Sequence, residues 1–172
     1  MLNQSIILSL PPLILSRHTL TLTPDGRLLM FGGCTLLTDA SVPKYLNDLR
    51  QLHTATMSWS LLRTDGDVPT ARCGHSAVLV GGGAFICYFG GWGMGGNQCE
   101  ESTHDPHARS IHLLEVSSLK WDYSRCLDKK TPKHLYYHNA CSLAEGMLLY
   151  GGFDGRQASN VLGILAFVEK NK

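Results

Sequence analysis

Three copies of one pattern run along the sequence at a spacing of about 60 residues, and this repeat limits the folds open to the chain. Each copy contains a Pro-x5-His segment and then an apolar run that ends in a Gly pair; the first two copies also carry a Trp. The markers keep the same order in every copy: Pro12/His18, Gly32-Gly33, Trp59; Pro69/His75, Gly90-Gly91, Trp121; Pro132/His138, Gly151-Gly152. Self-similarity at a fixed period indicates a chain built from repeated supersecondary units.

Each unit is predicted to consist of short β-strands. An alternating run follows the His, a Gly-containing turn comes next, and an apolar run then leads to the Gly pair. Continuous apolar runs of this length are typical of strands buried on both faces. Further apolar runs and the Trp segments complete four strands per unit, and no long stretch keeps a helical period. The predicted inner runs are 18–22, 27–33, 75–80, 84–91, 138–143 and 147–152.

The pattern resembles the kelch repeat of β-propellers. The resemblance is carried by Pro69-Thr70-Ala71-Arg72-Cys73-Gly74-His75-Ser76, by Tyr88-Phe89-Gly90-Gly91 and by Tyr150-Gly151-Gly152-Phe153-Asp154-Gly155-Arg156. It implies an all-β fold of about three four-stranded antiparallel blades in an incomplete ring. We expect a single domain over 1–172, with units at approximately 12–68, 69–131 and 132–172, and with 1–11 as a candidate closing strand. The third unit departs from the pattern because it has no Trp.

The repeated residues are interpreted as structural markers. Gly inside a strand indicates close approach of another segment, and a large aromatic side chain can wedge between neighbouring blades. The recurring His occupies one structural position, so packing and hydrogen bonding are favoured over catalysis. The markers are His18, Gly32, Gly33, Trp59, His75, Gly90, Gly91, Trp121, His138, Gly151 and Gly152.

Charge and cysteine content narrow the function classes. The formal net charge is +1, which gives no strong positive field for nucleic acid or anionic membranes. No run of 18 apolar residues is present, so no membrane-spanning helix is predicted. The six Cys include no C-x-x-C pair, and Cys87 and Cys141 lie in apolar runs where a buried thiol is expected. These features favour a reducing compartment, the cytoplasm with the nucleus as alternative.

The loops are the predicted functional region, because the resemblance implies a protein-interaction module, or adaptor, that presents loops on one propeller face. Basic and aromatic side chains there favour an acidic or phosphorylated segment of a partner protein. The candidate partner-binding residues are Arg72, Trp92, Arg109 and Arg156. Arg72 has a competing structural role, and Trp92 can equally pack beneath its own loop.

An enzyme is the alternative, since copper-dependent or sugar-modifying oxidases also look like this repeat. They require a Tyr/His copper shell, and no motif in the chain identifies one. A metal site at Cys99, His104 and His107 competes with a solvated polar loop. We expect no catalytic residues and no cofactor.

Three units are fewer than the four to eight blades of usual propellers. Open end blades would expose unpaired backbone and apolar faces, which form a template for another chain. Three explanations remain open at this point: two copies that pair into a six-bladed ring as a homodimer, a partner subunit in a larger assembly, or a longer protein of which this is a piece.

Overall fold

Three antiparallel sheets follow one another along the chain, in the order that the repeat predicts. The computed structural model describes residues 15–35, 43–93, 110–125, 135–144 and 146–166. The sheets are propeller blades, and among these residues they do not close into a ring. None of the described segments forms a helix with the length and apolar character needed to cross a bilayer.

The strands match the predicted runs to within a few residues. Blade 1 consists of Thr19–Leu22, Leu28–Phe31, Leu49–His53 and Ser58–Leu62. Blade 2 consists of Ser76–Val80, Phe85–Phe89, Ser110–Glu115 and Lys120–Arg125, with Asp65–Gly66 as a parallel edge strand. The described strands of blade 3 are Asn139–Leu143, Gly146–Tyr150 and Leu162–Ala166. A fourth strand of blade 3 and the candidate closing strand at 1–11 lie outside the described residues.

Short elements decorate the ends of the blades. Cys34–Thr35 pairs with Lys44–Tyr45, and Arg72–Cys73 pairs with Trp92–Gly93. The predicted turn at Gly81–Gly83 is a single turn of 3-10 helix. Because the first strands of blades 1, 2 and 3 contact one another in sequence order, they lie innermost, around the axis of the incomplete ring.

The core of the described residues consists of two clusters, one between each pair of consecutive blades. In the first, Leu29 and Phe31 of blade 1 meet Tyr88, Leu114 and Trp121 of blade 2. The Phe31 ring centroid lies 5.0 Å from that of Tyr88 and 4.9 Å from that of Trp121. Aromatic pairs at such distances contribute about 0.5–1.5 kcal/mol beyond their buried area. The second cluster joins blades 2 and 3 through Cys87, Phe89, Ile111, Leu135, Met147 and Leu149.

The two outer faces of the three-blade unit depart from the sequence prediction. Trp121 is buried between blades as expected, whereas Trp59 is only half-buried. Cys87 is buried, but Cys141 is exposed rather than buried. The reason is the same for both departures. Trp59 lies on the face of blade 1 that points away from blade 2, and Cys141 lies on the far face of blade 3, and no described blade covers either face.

The Tyr88 hydroxyl gives a stability prediction. The side chain is 1% exposed, and its oxygen has no hydrogen-bond partner among the described residues. A buried hydroxyl without a partner costs free energy relative to an apolar group of the same shape. Tyr88→Phe is therefore expected to leave the free energy of unfolding unchanged or raise it by up to about 1 kcal/mol, as measured by urea denaturation. If Tyr88→Phe instead lowered the free energy of unfolding by more than about 1 kcal/mol, the hydroxyl would have a hydrogen-bond partner in solution.

Candidate functional site

The segment before each repeat His pairs with the residue that follows the Gly pair of the same blade. Ser16 bridges Cys34 in blade 1, and Cys73 pairs with Trp92 in blade 2. In blade 3 the corresponding bridge joins Tyr136 to Phe153. Equivalent loops of the three blades therefore lie at the same end of the three-blade unit. We call this end the opening.

The residue directly before each repeat His has a left-handed backbone conformation. The φ angles are 61° at Arg17, 66° at Gly74 and 57° at Tyr137. The Gly74 N–H donates to the Arg17 carbonyl at 2.9 Å, and the Tyr137 N–H donates to the Gly74 carbonyl at 2.8 Å. Glycine adopts this conformation without strain, whereas Arg and Tyr do not. Non-glycine residues held at positive φ concentrate at functional sites, so Arg17 and Tyr137 mark this opening as a candidate site.

An aromatic cluster spans all three blades at this opening, and it consists of Tyr45, Trp92, Tyr136, Tyr137 and Phe153. The Tyr136 ring lies 5.3 Å from Trp92, 5.0 Å from Tyr137 and 5.4 Å from Phe153, measured between centroids. The Trp92 indole N–H interacts with the Tyr45 hydroxyl and lowers its pKa, which places Trp92 of blade 2 next to Tyr45 of blade 1. Tyr137 is 48% exposed and the other four rings are half-buried, so the aromatic cluster is accessible to a partner.

Cations flank the aromatic cluster. The exposed Arg17 guanidinium lies over the Tyr137 ring, with its central carbon 5.1 Å from the centroid. Exposed Lys44 adjoins Tyr45, and exposed Arg156 lies in the loop that begins at Phe153. The Asp154 carboxylate in that loop accepts hydrogen bonds from two backbone N–H groups, which lower its pKa and occupy one of its oxygens.

The predicted partner-binding residues have different positions in the structure. Arg72 is 6% exposed, and its guanidinium donates to the carbonyls of Thr70 and Gly90, both at 3.0 Å, and to the Thr70 hydroxyl at 3.0 Å. The buried Arg72 side chain thus joins the backbone at Thr70 to the backbone at Gly90 through hydrogen bonds. Trp92 belongs to the aromatic cluster, and Arg156 is exposed in the loop that begins at Phe153. Arg109 lies outside the described residues, as do Cys99, His104 and His107 of the metal alternative.

The Cys73 thiol near the opening is not activated. Cys34 and Cys73 are buried side by side, and burial together with the neighbouring Cys34 raises the pKa of the Cys73 thiol to about 11. Cys73 is therefore protonated at neutral pH and a poor nucleophile or metal ligand. In the described part of the chain, no three His, Cys, Asp or Glu side chains are grouped closely enough to hold a metal ion.

Most of the aromatic cluster is absent from the set of site residues predicted from sequence. Arg17 and Tyr45 come from the first repeat unit, whereas Tyr136, Tyr137 and Phe153 come from the third, and only the fold brings the two groups together. A usable signal exists in the repeat alignment. The position before the His holds Arg, Gly and Tyr in the three units, and large side chains at a position that suits Gly indicate a role other than turn formation.

Comparison with known proteins agrees with the architecture. The family model for the KLHDC2/KLHL20/DRC7 Kelch-repeats domain matches residues 17–171. Host cell factor 2 from Homo sapiens is 36% identical over 119 residues, which are 64% of this chain and 15% of that protein. Kelch domain-containing protein 3 from Homo sapiens is 30% identical over 132 residues, which are 77% of this chain and 30% of that protein. The chain spans less than a third of the length of these curated relatives.

A solved structure, that of YjhT, has the same fold. It matches with a TM-score of 0.62 at 16% identity, and the match covers 91% of this chain and 53% of the YjhT chain. The repeat markers, the three consecutive blades and the family match over 17–171 lead to one assignment. The chain belongs to the kelch-repeat family of β-propeller proteins.

Proposed function

We propose that this chain is a protein-interaction module, or adaptor, that binds an acidic or phosphorylated segment of a partner protein at the aromatic cluster. Kelch-repeat proteins as a family mediate protein interactions. The observation that carries the finer proposal is the exposed Arg17 guanidinium stacked over the exposed Tyr137 ring, at an opening to which all three blades contribute.

The chemistry of the opening supports a peptide with negative charge. Tyr, Trp and Arg are the side chains that contribute most to binding energy at protein interfaces. The guanidinium of Arg17 has a planar set of donors that suits carboxylate and phosphate oxygens, and stacking on Tyr137 orients it. Lys44 and Arg156 add exposed positive charge on adjacent loops, which steers an anionic segment toward the opening.

The tyrosine hydroxyls add hydrogen-bonding groups to the opening. Burial raises the pKa of Tyr45 and also that of Tyr137, so both phenols stay neutral at physiological pH. A neutral phenol can donate a hydrogen bond to a carboxylate or phosphate oxygen. The two hydroxyls therefore favour an anionic ligand rather than repelling it.

Arg17→Gln tests the proposal, because it removes the charge while keeping a non-glycine residue at the left-handed position. The probe is an array of acidic, phosphorylated and lysine-substituted peptides, followed by titration of the bound sequences by fluorescence anisotropy. We expect selective binding of anionic peptides and at least about tenfold weaker binding by Arg17→Gln, since an exposed charged contact of about 1.4 kcal/mol changes the affinity tenfold. Binding should also weaken as salt is added.

Lys120→Gln is the matched control. Lys120 is exposed at the start of the outer strand of blade 2, next to the turn at 116–119, and is remote from the loops that form the opening. This variant is expected to bind like the unmodified protein. Selection of cationic or neutral peptides by the array, or equal affinity of Arg17→Gln and Lys120→Gln, would contradict the proposal. Thermal melting of both variants separates loss of binding from loss of folding.

A further inference from the structure

Two buried cysteines lie at the opening, where blade 1 meets blade 2. Cys34 directly follows the Gly pair of blade 1 and is 6% exposed. Cys73 lies two residues before the repeat His of blade 2 and is 1% exposed. Both are free thiols, and the proposed peptide contact uses neither of them.

Backbone hydrogen bonds hold the two cysteines on either side of the two residues that precede the first repeat His. Ser16 exchanges two backbone hydrogen bonds with Cys34, both at 2.9 Å. The carbonyl of the next residue, Arg17, accepts a hydrogen bond at 2.9 Å from the N–H of Gly74, which directly follows Cys73. One short segment of backbone is therefore bonded to both cysteine-containing segments.

A further hydrogen bond joins the two cysteine-containing segments directly. The Gly33 N–H donates to the Arg72 carbonyl at 2.8 Å, and each cysteine is the next residue in the chain after one of these partners. The two thiols interact with each other, and burial together with this contact raises the pKa of Cys73. A disulfide requires Cα atoms within about 7 Å and side chains that point toward each other. Thiols that already interact across a backbone hydrogen bond need little movement to meet this requirement.

Polar groups that assist thiol chemistry lie beside both sulfur atoms. The Ser16 hydroxyl oxygen is 3.4 Å from the Cys34 sulfur, and the Arg17 guanidinium interacts with the Cys73 thiol. A hydrogen-bond donor and a cation both stabilise a thiolate, which is the species that oxidants attack. Because Cys34 is the more exposed of the two and the Cys73 thiol stays protonated at neutral pH, we expect Cys34 to react first and slowly.

We propose that Cys34 and Cys73 form a reversible disulfide that regulates the opening, with hydrogen peroxide as the oxidant. In the first step the Cys34 sulfur attacks one peroxide oxygen and becomes a sulfenic acid, and the other oxygen leaves as water with the Cys34 proton. In the second step the Cys73 sulfur attacks the sulfenic sulfur, the S–O bond breaks, and the hydroxyl leaves as water with the Cys73 proton. The two thiols together lose the two electrons that reduce the peroxide. Two molecules of a small thiol reverse the bond by exchange and leave as their own disulfide.

The disulfide acts on the opening through the residues that contact the two cysteines. Cys34 pairs in strand register with Tyr45, and Cys73 pairs with Trp92, so a bond between the cysteines fixes these two rings of the aromatic cluster relative to each other. The bond also removes the Cys73 thiol from its interaction with the Arg17 guanidinium, whose donors are then available to a ligand. Preorganisation raises affinity because less freedom is lost on binding. This effect on binding rests on the proposed function, whereas formation of the bond does not.

Mass spectrometry of the full 172-residue chain tests formation of the bond. The reduced, folded protein is freed of reductant and treated with hydrogen peroxide. We expect the intact mass to fall by that of two hydrogen atoms, and peptide mapping with tandem mass spectrometry to join Cys34 to Cys73. The melting temperature is expected to rise, because the bond closes the chain between these residues into a loop.

Cys34→Ser and Cys73→Ser are each expected to lose the linked peptide pair and the rise in melting temperature. Cys141→Ser is the matched control, because Cys141 is also a free thiol but is exposed on blade 3. It is expected to form the Cys34–Cys73 bond like the unmodified protein. Folded protein that yields no Cys34–Cys73 pair after oxidation overturns the proposal, as does a pair that joins either residue to Cys87 or Cys141 instead.

Fluorescence anisotropy with the acidic and phosphorylated peptides of the array tests the effect on the opening. We expect the oxidised protein to bind these peptides at least about threefold more tightly than the reduced protein, and dithiothreitol to restore the weaker binding. A mapped Cys34–Cys73 bond with unchanged affinity overturns the regulatory role. Absence of anionic-peptide binding in both redox states contradicts the proposed function and the regulatory role with it, whereas the mapped bond is decided by mass alone.

Discussion

Trp121→Ala is expected to lower the free energy of unfolding by about 3–5 kcal/mol, the usual cost of truncating a large buried aromatic side chain. The indole is 1% exposed and lies between Phe31 of blade 1 and Tyr88 of its own blade, at 4.9 and 5.0 Å between centroids. Its removal leaves a cavity at the centre of the first core cluster, where strands of two blades limit collapse. Urea denaturation measures the loss.

Trp59→Ala is the matched control for Trp121→Ala. Trp59 occupies the same repeat position but is half-buried, because no described blade packs against its face. The expected loss is about 1–2 kcal/mol, since part of the side chain already contacts solvent. Equal losses for the two variants would show that Trp59 is covered as completely as Trp121 in solution.

The protein is expected to lose about 4–5 kcal/mol of stability between pH 7.5 and pH 4.5 through two buried histidines. Burial lowers the pKa of His75 from 6.5 to about 3, with a further contribution from the nearby Arg72 charge, and burial lowers the pKa of His138 to about 4. Below about pH 6.5 the unfolded chain takes up protons on both imidazoles, whereas the folded chain does not. Stability is therefore complete above the unfolded pKa and decreases as the pH falls toward the folded values.

Urea denaturation of His75→Gln across this pH range measures the histidine contribution. The variant loses the contacts of His75 with Thr19 and Phe31 and is therefore less stable at neutral pH. The fall in its stability on acidification should nevertheless be smaller by about 2–3 kcal/mol than in the unmodified protein. His53→Gln, at an exposed position, is expected to keep the full pH dependence. An unchanged dependence in His75→Gln would mean that His75 is protonated while the protein is folded.

The blades could be predicted from the sequence because their signals are local and repeated. The apolar run before each Gly pair forms a strand in all three units, as at Leu28–Phe31 and Phe85–Phe89. The glycines have equivalent conformations, with φ between 95° and 98° at Gly33, Gly91 and Gly152. Because this position needs a positive φ angle in every unit, the sequence has Gly there in every unit.

The candidate site and the outer faces of the three-blade unit could not be predicted in the same way. The aromatic cluster joins Tyr45, Trp92 and Phe153 across three units, and no spacing within one unit indicates that their side chains meet. Burial at the ends depends on a neighbouring blade rather than on the residue itself. Tyr150 and Cys141 have the sequence pattern of buried strand residues and are exposed because no described blade covers them.

Equivalent contacts join blade 1 to blade 2 and blade 2 to blade 3, because His75 is hydrogen-bonded to Thr19 and His138 is hydrogen-bonded to Ser76. This repetition implies that folding energy is distributed along the chain like that of a one-dimensional array. The ladders join strands within a unit, and the His and Gly contacts join adjacent units, so stability is approximately a sum of blade terms and nearest-neighbour terms. Of the three described blades, blade 2 has a neighbour on both sides. Among these three blades, local unfolding should therefore start at blades 1 and 3 and spread inward, which leaves the strands at Ser76–Val80 and Phe85–Phe89 as the last to open.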